Sequence, residues 1–443
     1  MNKPFSGNNS RRDFVKGTSL LAGGILAAPL LSRANFFSGS DDTIKIAVVG
    51  CGGRGTGAAM QALSSKQNVK IVAMADAFKD NLDSCHKSLT EEINNSIGEL
   101  AKRLDVPEER RFTGFDGYQK AIALADVVIL ATPPGFRPIH FAEAIKQGKH
   151  VFMEKPVATD PAGIQSVLAT AAIAKQKKLN VVVGLQRHYQ NSYRELYKRK
   201  DLIGDITSAQ AWWDNDGVWV RPRKYNQTEM EYQMRNWYYF NWLCGDHITE
   251  QHIHNLDVIN WFKGGHPVKA QGFGGRQVRN GKDHGEIFDH HFVEFEYADG
   301  SILNSQCRHI PGTMSKVDEL LVGTKGKIFC GAAHIKDHTG KLIYQYDTKL
   351  ENNPYQTEHD ELFAAIAKGE YKFADAENGA SSTMTSILGR MATYSGQVID
   401  WDKAINSGID IHPKVYDWNA EPPVLPNADG YYPIAIPGVT KYF

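Results

Sequence analysis

The sequence predicts an α/β protein with two sheets: a doubly wound parallel sheet, and then a second α/β domain whose open sheet is mostly antiparallel. Two observations predict this fold. Between residues 44 and 185, apolar runs typical of buried strands alternate with helical stretches. After about Gly204 the strand-like runs become short, and tight turns such as 298–300 and 323–326 join some of them, as in hairpins.

The first strand, residues 44–49, ends in a glycine-rich turn. The strand is apolar and β-branched, as buried parallel strands are. In the following G-x-G-x-x-G motif, Gly50 permits a tight turn, Gly52 lets the backbone approach a pyrophosphate, and Gly55 lets the next helix pack on the strand. The N-terminus of that helix offers unpaired N–H groups to phosphates.

The second strand, residues 69–75, ends in Asp76, about 20 residues after the motif. A carboxylate at this place accepts hydrogen bonds from both hydroxyls of an adenosine ribose. A glycine turn alone often only closes a βα unit, but strand, glycines, helix, strand and acid in this order predict a Rossmann domain. The acid favours NAD over NADP, whose extra phosphate it would repel. The predicted cofactor-binding residues here are Gly50, Gly52, Gly53, Arg54, Gly55 and Asp76.

Further polar residues follow the later strands of the same sheet. Strand-like runs at 126–132, 151–153 and 179–185 alternate with helical stretches at 140–147 and 161–178. In doubly wound sheets, ligands bind beyond the carboxyl ends of the strands. We therefore expect the cofactor to contact five more residues: Thr132, Pro133, His140, Glu154 and Lys155.

Lys155 is the first candidate for chemistry, because it lies in Glu154-Lys155-Pro156 at the end of a strand. An ammonium group there can donate to a substrate hydroxyl and stabilise the alkoxide character of its oxygen during hydride transfer. Pro156 can take a cis bond and fix the direction of the lysine. A solvated lysine before a helix-starting proline is the alternative, and the position alone does not decide between them.

The second candidate site is the stretch of residues 245–257, GDHITEQHIHNLD. In a continuous helix, four titratable side chains would lie along one face: His247, Glu250, His254 and Asp257. Such a face beside apolar positions is typical of an acid/base site. Neither H-E-x-x-H nor C-x-x-C spacing is present, so we predict no metal site, with zinc and a structural hydrogen-bond network as alternatives.

A dense aromatic cluster precedes this stretch, between residues 212 and 242. Aromatics at this density more often form core. The same segment also carries Arg221, Arg235 and Asn236, which is unusual for a core. Flat apolar rings interleaved with hydrogen-bonding groups suit a sugar, which has C–H faces and hydroxyl edges. We predict a carbohydrate or polyol substrate, bound by Arg187, Trp237, His247 and Asp257.

The first 35 residues are predicted to be a twin-arginine export signal. The segment SRRDFVK at 10–16 is followed by an apolar stretch at 20–31 that is shorter than the roughly 20 residues needed to span a membrane. Because this route exports folded proteins, we expect a periplasmic protein that carries its cofactor out already bound. After processing we expect no stable membrane insertion.

Charge, cysteine content and length bound the protein class. Lysine plus arginine equals aspartate plus glutamate, 50 each, so a nucleic-acid partner is not predicted. The five cysteines are scattered and odd in number, which does not indicate a disulfide framework. About 400 residues after the signal suggest two domains. The predicted boundaries are 1–35 for the signal, 41–186 for the NAD(P)-binding domain, 187–421 for the substrate-binding domain and 422–443 for a C-terminal tail.

Over roughly residues 44–396 the chain resembles the Gfo/Idh/MocA family (glucose-fructose oxidoreductase, inositol dehydrogenase, rhizopine catabolism protein). The resemblance rests on the glycine loop, on the ATPP and EKP segments at 131–134 and 154–156, and on the helix with His254 and Asp257. It implies that Lys155 is the catalytic lysine beside the nicotinamide. It also implies a dimer or tetramer formed through the open sheet.

The chain departs from the family pattern at Glu250, where family members often have aspartate. The longer side chain makes His254 the better acid/base candidate, with Glu250 as the second. Members of the family oxidise sugars and polyols, reduce ketones or biliverdin, or cleave glycosides through a transient keto intermediate.

The first hypothesis is an NAD-dependent oxidoreductase with tightly bound NAD, which removes a hydride from a carbinol carbon of a sugar, polyol or glycoside. A redox-neutral NAD-dependent glycoside hydrolase or lyase that acts through a keto sugar is the first alternative. A non-catalytic dinucleotide-binding sensor is the second, in which Lys155 and His254 would have no chemical role.

Overall fold

The computed structural model describes residues 42–95 and 99–442, and the first of its two sheets is parallel throughout. Its strands are β1 (Ile44–Val49), β2 (Val69–Asp76), β3 (Arg111–Thr113), β4 (Val127–Leu130), β5 (His150–Met153) and β6 (Val181–Val183). The helices that follow these strands are α1 (Gly53–Leu63), α2 (Lys79–Asn95), α3 (Gly117–Ala123), α4 (Arg137–Lys146) and α5 (Pro161–Gln176). The predicted doubly wound parallel sheet is confirmed.

The strand order β3-β2-β1-β4-β5-β6 decides where this sheet can bind a ligand. The chain runs outward from β1 through β2 to β3, and then crosses back to place β4 on the other side of β1. The loops after β1 and β4 therefore diverge, and a crevice opens at the carboxyl ends of these two strands. Both strands are almost fully buried, which explains their continuous apolar sequences.

The second sheet has nine strands in the order β14-β13-β12-β11-β7-β10-β9-β8-β15. Neighbouring strands are antiparallel except β7 and β10, which are parallel, so the prediction of a mostly antiparallel sheet is confirmed. The strands are β7 (Ile206–Asn215), β8 (Lys269–Gly275), β9 (His290–Glu296), β10 (Ile302–His309), β11 (Lys316–Gly323), β12 (Gly326–Phe329), β13 (His334–Asp337), β14 (Leu342–Gln345) and β15 (Ile399–Asp400).

Eight α-helices belong to this second part of the described chain. They are α6 (Asn191–Tyr197), α7 (Glu229–Arg235), α8 (Asn241–Cys244), α9 (His247–Glu250), α10 (Ile253–Lys263), α11 (Pro354–Ala367), α12 (Ala376–Ser395) and α13 (Trp401–Ile405). Helix α12 is almost entirely buried because it packs on α5 of the first part and on β8 and β9 of the second. It therefore joins the two sheets through one core.

The stretch of residues 245–257 is not a continuous helix, and the predicted four-residue face is wrong in this respect. Helix α9 ends at Glu250 and α10 begins at Ile253. At the junction, the N–H groups of His254 and Asn255 donate to carbonyl groups three residues earlier, at 3.2 and 3.0 Å. This tighter winding rotates the side chains of α10 relative to those of α9.

The remaining predictions concern the signal, the domain boundaries, membrane insertion and the cysteines. The predicted signal at residues 1–35 lies outside the described residues. The described residues from 42 onwards cluster as one compact unit, and the domain boundaries at 186 and 421 stay predictions. Within the described ranges, no helix combines the length and the apolar character needed to cross a bilayer. All five cysteines are free and buried.

Candidate functional site

A cavity of about 500 Å³ opens at the carboxyl ends of the parallel strands, where the crevice was expected. We call it the central cavity. Its wall includes the glycine turn and the ends of β2, β4 and β5. The second part of the chain closes the opposite side with residues that include Trp213, Trp219, Trp237, Glu250 and His254.

The glycine turn after β1 has no room for side chains at two of its positions. Gly50 has φ +94°, and a Cβ there would lie 2.4 Å from the backbone nitrogen of Thr132. A Cβ on Gly55 would lie 1.8 Å from the carbonyl oxygen of Gly50, so α1 packs directly on the turn. By contrast, a Cβ on Gly52 or Gly53 would meet nothing within 4 Å. The N-cap residue of α1 provides no side-chain cap. The turn therefore offers free N–H groups to an open space, which fits a dinucleotide phosphate.

Asp76 lies at the end of β2 and lines the central cavity. Its Oδ2 accepts a hydrogen bond from the backbone N–H of Cys51 at 2.7 Å, and its Oδ1 accepts one from Phe78 at 2.9 Å. Burial raises the pKa of this carboxyl group, although these hydrogen bonds oppose the shift. The contact with Cys51 fixes the carboxylate against the glycine turn, where a ribose acceptor is needed.

Glu154 and Arg54 connect the end of β5 to the glycine turn. The guanidinium Nε of Arg54 donates to Glu154 Oε1 at 2.5 Å. The absence of a side chain at Gly184 makes room for the Glu154 carboxylate, since a Cβ at Gly184 would lie 2.7 Å from Glu154 Oε2. Arg54 also lies over the ring of Tyr355, with 5.4 Å between the guanidinium carbon and the ring centroid. The two sequence motifs of the parallel sheet are therefore held together by an ion pair.

The three predicted catalytic residues meet in the cavity wall. The Nζ of Lys155 donates to the carbonyl oxygen of Glu250 at 2.5 Å and to its Oε1 at 3.2 Å. The His254 ring is stacked on Trp213, with ring centroids 5.8 Å apart. The Nδ1 of His254 is buried and has no hydrogen-bond partner among the described residues. The Lys155–Pro156 peptide bond is cis.

His254 is held in its neutral form. Burial is the main cause, and the positive charges of Lys155, Arg187 and Arg54 add to it, so its pKa lies well below the usual 6.5. At neutral pH the ring therefore has a free nitrogen lone pair. A neutral imidazole in the cavity wall has the lone pair that a proton acceptor needs.

This shift predicts the acid limb of the pH–rate profile. Protonation of His254 would remove the base, and it occurs only when the pH falls below its lowered pKa. We expect kcat/KM to stay constant from neutral pH down through 6.5 and to decline only at clearly lower pH. An acid limb with an apparent pKa of 6.5 or above that disappears in His254→Gln would contradict this assignment.

The other predicted cofactor residues also line the cavity. Thr132 and Pro133 follow β4, and the Oγ1 of Thr132 lies 3.1 Å from Nδ1 of His140. Burial lowers the pKa of His140 to about 3, and the charge of Arg137 adds to this, so the ring is neutral. Trp237 meets Trp219 edge to face, with centroids 5.8 Å apart.

Three predicted substrate-binding residues do not line the central cavity: Arg187, His247 and Asp257. Arg187 forms a buried ion pair with Glu319. The Nδ1 of His247 lies 2.7 Å from the carboxylate of Asp246. Asp257 accepts a hydrogen bond from Ser382 at 2.8 Å and lies 2.8 Å from Nε2 of His188. Glu250 and His254 lie on either side of the break between α9 and α10 and reach the cavity, while His247 and Asp257 lie farther from the break and do not.

Asp246, His247 and His291 lie close enough to hold a metal ion. However, the Asp246 carboxylate already accepts hydrogen bonds from His247, Phe288 and Tyr394. All three residues of the group are fully buried. A carboxylate with its lone pairs filled by protein donors fits a structural network rather than a cation site.

Several cavity residues were missed by the sequence reasoning. Arg137 is buried and donates to the carbonyl oxygen of Thr132 at 2.6 Å, and its place just after β4 was the available signal. Tyr355, which accepts from Gln186 at 3.2 Å, gave no signal because it comes from distant α11. Gln251 lies inside the predicted stretch but was not singled out.

Comparison with known proteins gives matches along most of the chain. Residues 44–185 match the Gfo/Idh/MocA family, described as an oxidoreductase family with an NAD-binding Rossmann fold. Inositol 2-dehydrogenase of Cereibacter sphaeroides is 23% identical over 359 residues, which cover 78% of this chain and 92% of that protein. The 2,7-anhydro-N-acetylneuraminate hydratase of Escherichia coli is 25% identical over 210 residues, which cover 46% and 51%.

Among solved structures, a similar fold occurs in scyllo-inositol dehydrogenase from Lactobacillus casei with bound NAD(H) and scyllo-inositol. The TM-score is 0.60 and the identity 20%, with 81% of this chain and 99% of that chain covered. At this identity the likeness shows the two-sheet fold.

Proposed function

We propose that this chain, an oxidoreductase of the Gfo/Idh/MocA type, removes a hydride from a carbinol carbon of a sugar, polyol or glycoside. The observation that carries the proposal is that Lys155, Glu250 and His254 share one cavity with the glycine turn and Asp76. The similarity to proteins named inositol 2-dehydrogenase supports a polyol or sugar substrate. Three tryptophans in the cavity wall suit the C–H faces of such a ring.

The cofactor we propose is tightly bound NAD. When bound, its nicotinamide would take up the hydride that the substrate carbon loses. The glycine turn would hold the pyrophosphate, and the Asp76 carboxylate would accept from the ribose hydroxyls. The same carboxylate would repel the additional phosphate of NADP.

Asp76→Ser tests the choice of cofactor. A hydrogen bond to a charged group contributes about 1.5–3 kcal/mol, so we expect NAD affinity to fall about 10- to 100-fold, while discrimination against NADP narrows. Titration of both cofactors measures this. Asp83→Ser is the matched control, because Asp83 lies on the exposed side of α2 and pairs with Lys79. A wild-type preference for NADP would show the ribose assignment to be wrong.

Two side chains would divide the chemistry on the substrate. The ammonium group of Lys155, which Glu250 holds in the cavity wall, would donate to the reacting oxygen and stabilise its negative charge as the carbon loses hydride. Neutral His254 would accept the proton of the reacting hydroxyl, with the Glu250 carboxylate as the second candidate for this role, so that the carbinol loses one hydride and one proton.

A redox-neutral cycle is the second candidate, and closure of the cavity rim favours it. The Arg235 guanidinium donates to Asp80 at 2.7 Å and lies 3.7 Å from the centroid of the Phe78 ring. Phe78 itself lines the central cavity. This contact joins the second part of the chain to α2 at the rim of the cavity and would slow cofactor exchange. The partial match to a protein named as a hydratase also supports a reaction without net oxidation.

Such a cycle would proceed through a ketone. Loss of a hydride and of the hydroxyl proton at one ring carbon gives the ketone, which makes the neighbouring C–H acidic, and His254 or Glu250 takes the C–H proton. The glycosidic oxygen gains a proton and leaves as the alcohol by elimination, and water adds its OH and a proton across the double bond. The ketone then regains the hydride on carbon and a proton on oxygen, so that the net reaction is hydrolysis. We also propose export to the periplasm by the signal predicted at residues 1–35. Free NAD is not expected there, so a retained cofactor would have to be regenerated in place.

One experiment separates the candidates. The purified protein is incubated with glycosides and free sugars in deuterated water, without added cofactor. Sustained turnover indicates a redox-neutral cycle, and deuterium at a ring carbon selects the elimination route. Turnover that consumes added NAD and yields equal NADH indicates an ordinary dehydrogenase. Binding of NAD without turnover of any substrate would favour the sensor and contradict the proposal.

We further propose that the open second sheet forms a dimer or tetramer. Phe273 on β8 and Val317 on β11 are 66% and 41% exposed, although both are apolar strand residues. Light scattering of the purified protein gives the oligomer size.

A further inference from the structure

Gln251 lies in the wall of the central cavity, in the break between α9 and α10. Its Oε1 accepts a hydrogen bond from the indole Nε1 of Trp213 at 2.8 Å and lies 3.1 Å from Nε2 of His309. An indole N–H can only donate. The amide atom that faces Trp213 must therefore be the oxygen, and the orientation of the Gln251 amide follows from its partner.

His309 is fixed in the tautomer that supports this orientation. Its Nδ1 lies 2.6 Å from a terminal nitrogen of Arg279, which can only donate, so Nδ1 is the acceptor. The ring proton then lies on Nε2 and points to Gln251. Burial, followed by the effects of His247 and Arg279, holds the pKa of His309 well below 6.5, so the ring stays neutral. Arg279 is itself held by a hydrogen bond to the carbonyl oxygen of Phe288 at 2.7 Å.

These contacts occupy the oxygen of the Gln251 amide and leave the amide nitrogen available as a donor. Both N–H groups of Gln251 Nε2 are without a hydrogen-bond acceptor in the part of the chain that the structure describes. We propose that Gln251 is a substrate-binding residue whose Nε2 donates to one hydroxyl or ring oxygen of the sugar or polyol, and that the Trp213–His309–Arg279 contacts fix it as a donor. This proposal rests on the proposed substrate class.

A fixed donor has a consequence for specificity. Rotation of the Gln251 amide to present an acceptor is disfavoured, because the N–H groups of partly buried Trp213 and buried His309 would then lose their acceptor. A substrate that lacks the contacted oxygen leaves the N–H of Gln251 without a partner in the cavity. Sites that hydrogen-bond a substrate hydroxyl discriminate strongly against analogues without it. Gln251 should therefore select for an oxygen at one position of the substrate ring.

The test uses the NAD-loaded protein and a set of probes: methyl glycosides, inositols and their monodeoxy analogues. Binding is followed by tryptophan fluorescence, since Trp213 lies in the cavity wall. In the wild type, removal of one particular hydroxyl is expected to weaken binding about tenfold or more. Gln251→Glu keeps an acceptor for Trp213 and His309 but turns an acceptor towards the substrate. We expect the parent probe to bind about tenfold more weakly to it, and the penalty for the missing hydroxyl to disappear.

Two further variants separate binding from structure and charge. Gln251→Asn stays neutral and withdraws the donor by one methylene, so it should also lose the discrimination. Gln397→Glu makes the same chemical change at an exposed position after α12 and should behave as wild type. NAD affinity and melting temperature show whether each variant is folded.

Two outcomes would overturn the assignment of Gln251, and the binding of the probes to the wild type distinguishes them. If the wild type binds the probes and Gln251→Glu binds them equally well with the same penalty for the missing hydroxyl, Gln251 does not contact the substrate. If no probe binds to the wild type or to any variant, the proposed substrate class fails and the role of Gln251 fails with it.

Discussion

Replacing Lys155 by alanine is expected to lower kcat by about 10²–10⁴-fold while NAD binding stays intact. The ammonium group is proposed to act on the reacting oxygen of the substrate, and an interaction used mainly in the transition state lowers kcat when it is lost. Steady-state kinetics on a turned-over sugar, together with cofactor titration, measures the two effects separately.

The Lys155→Ala variant needs a structural control, because the Nζ of the wild-type lysine also donates to the backbone carbonyl of Glu250. The melting temperature of Lys155→Ala reports whether this contact supports the junction between α9 and α10. Lys146→Ala is the matched control, since its side chain is 76% exposed at the end of α4. A Lys155→Ala enzyme with near wild-type kcat would remove Lys155 from the chemistry.

His254→Gln is expected to lower turnover by about 10²–10⁴-fold and, where the redox-neutral cycle operates, to abolish exchange of the substrate ring proton with solvent. Glutamine keeps a polar side chain of similar size, but it cannot take up a proton. The first hydride transfer also requires loss of the hydroxyl proton, so in a single turnover the bound cofactor should be reduced, seen as absorbance at about 340 nm, more slowly than in the wild type. Mass spectrometry of the sugar in deuterated water measures the exchange.

Glu250→Gln distinguishes the two candidate bases. If Glu250→Gln loses the exchange and His254→Gln keeps it, the carboxylate is the base and the assignment of His254 is wrong. His266→Gln serves as the control, because His266 is exposed and stacks on Trp401 with centroids 3.8 Å apart. Loss of exchange in that variant would point to a general effect of histidine replacement.

The parallel sheet could be predicted because its signals are local. β1 is apolar at almost every position, and its predicted bounds of 44–49 agree with the structure. Strands such as β14 could not be predicted in the same way, because Leu342–Gln345 is largely exposed and lacks an alternating pattern. Helix α11 begins at Pro354, where the first turn is fixed by the Asn353 cap and not by apolar periodicity.

Site residues that belong to local sequence motifs could be predicted. Site residues whose orientation depends on contacts with residues distant in sequence were missed. Lys155 follows a strand, so sheet topology alone places it at the crevice. The direction of Arg187 depends on Glu319 of β11, a partner that spacing along the chain does not reveal. The orientation of the Gln251 amide is fixed by His309 of β10 and Trp213 of β7. Predicting these contacts requires the register of the second sheet.

The most direct test of hydride transfer follows an isotope from the substrate to the cofactor. Holoenzyme with oxidised NAD is mixed with sugars, methyl glycosides and inositols that carry deuterium on their carbinol carbons, and a single turnover is quenched. The proposed function predicts deuterium in the nicotinamide ring, detected by mass spectrometry, at a rate that falls in Lys155→Ala. A substrate that is converted to product without any deuterium in the nicotinamide, even at the earliest times, would contradict it.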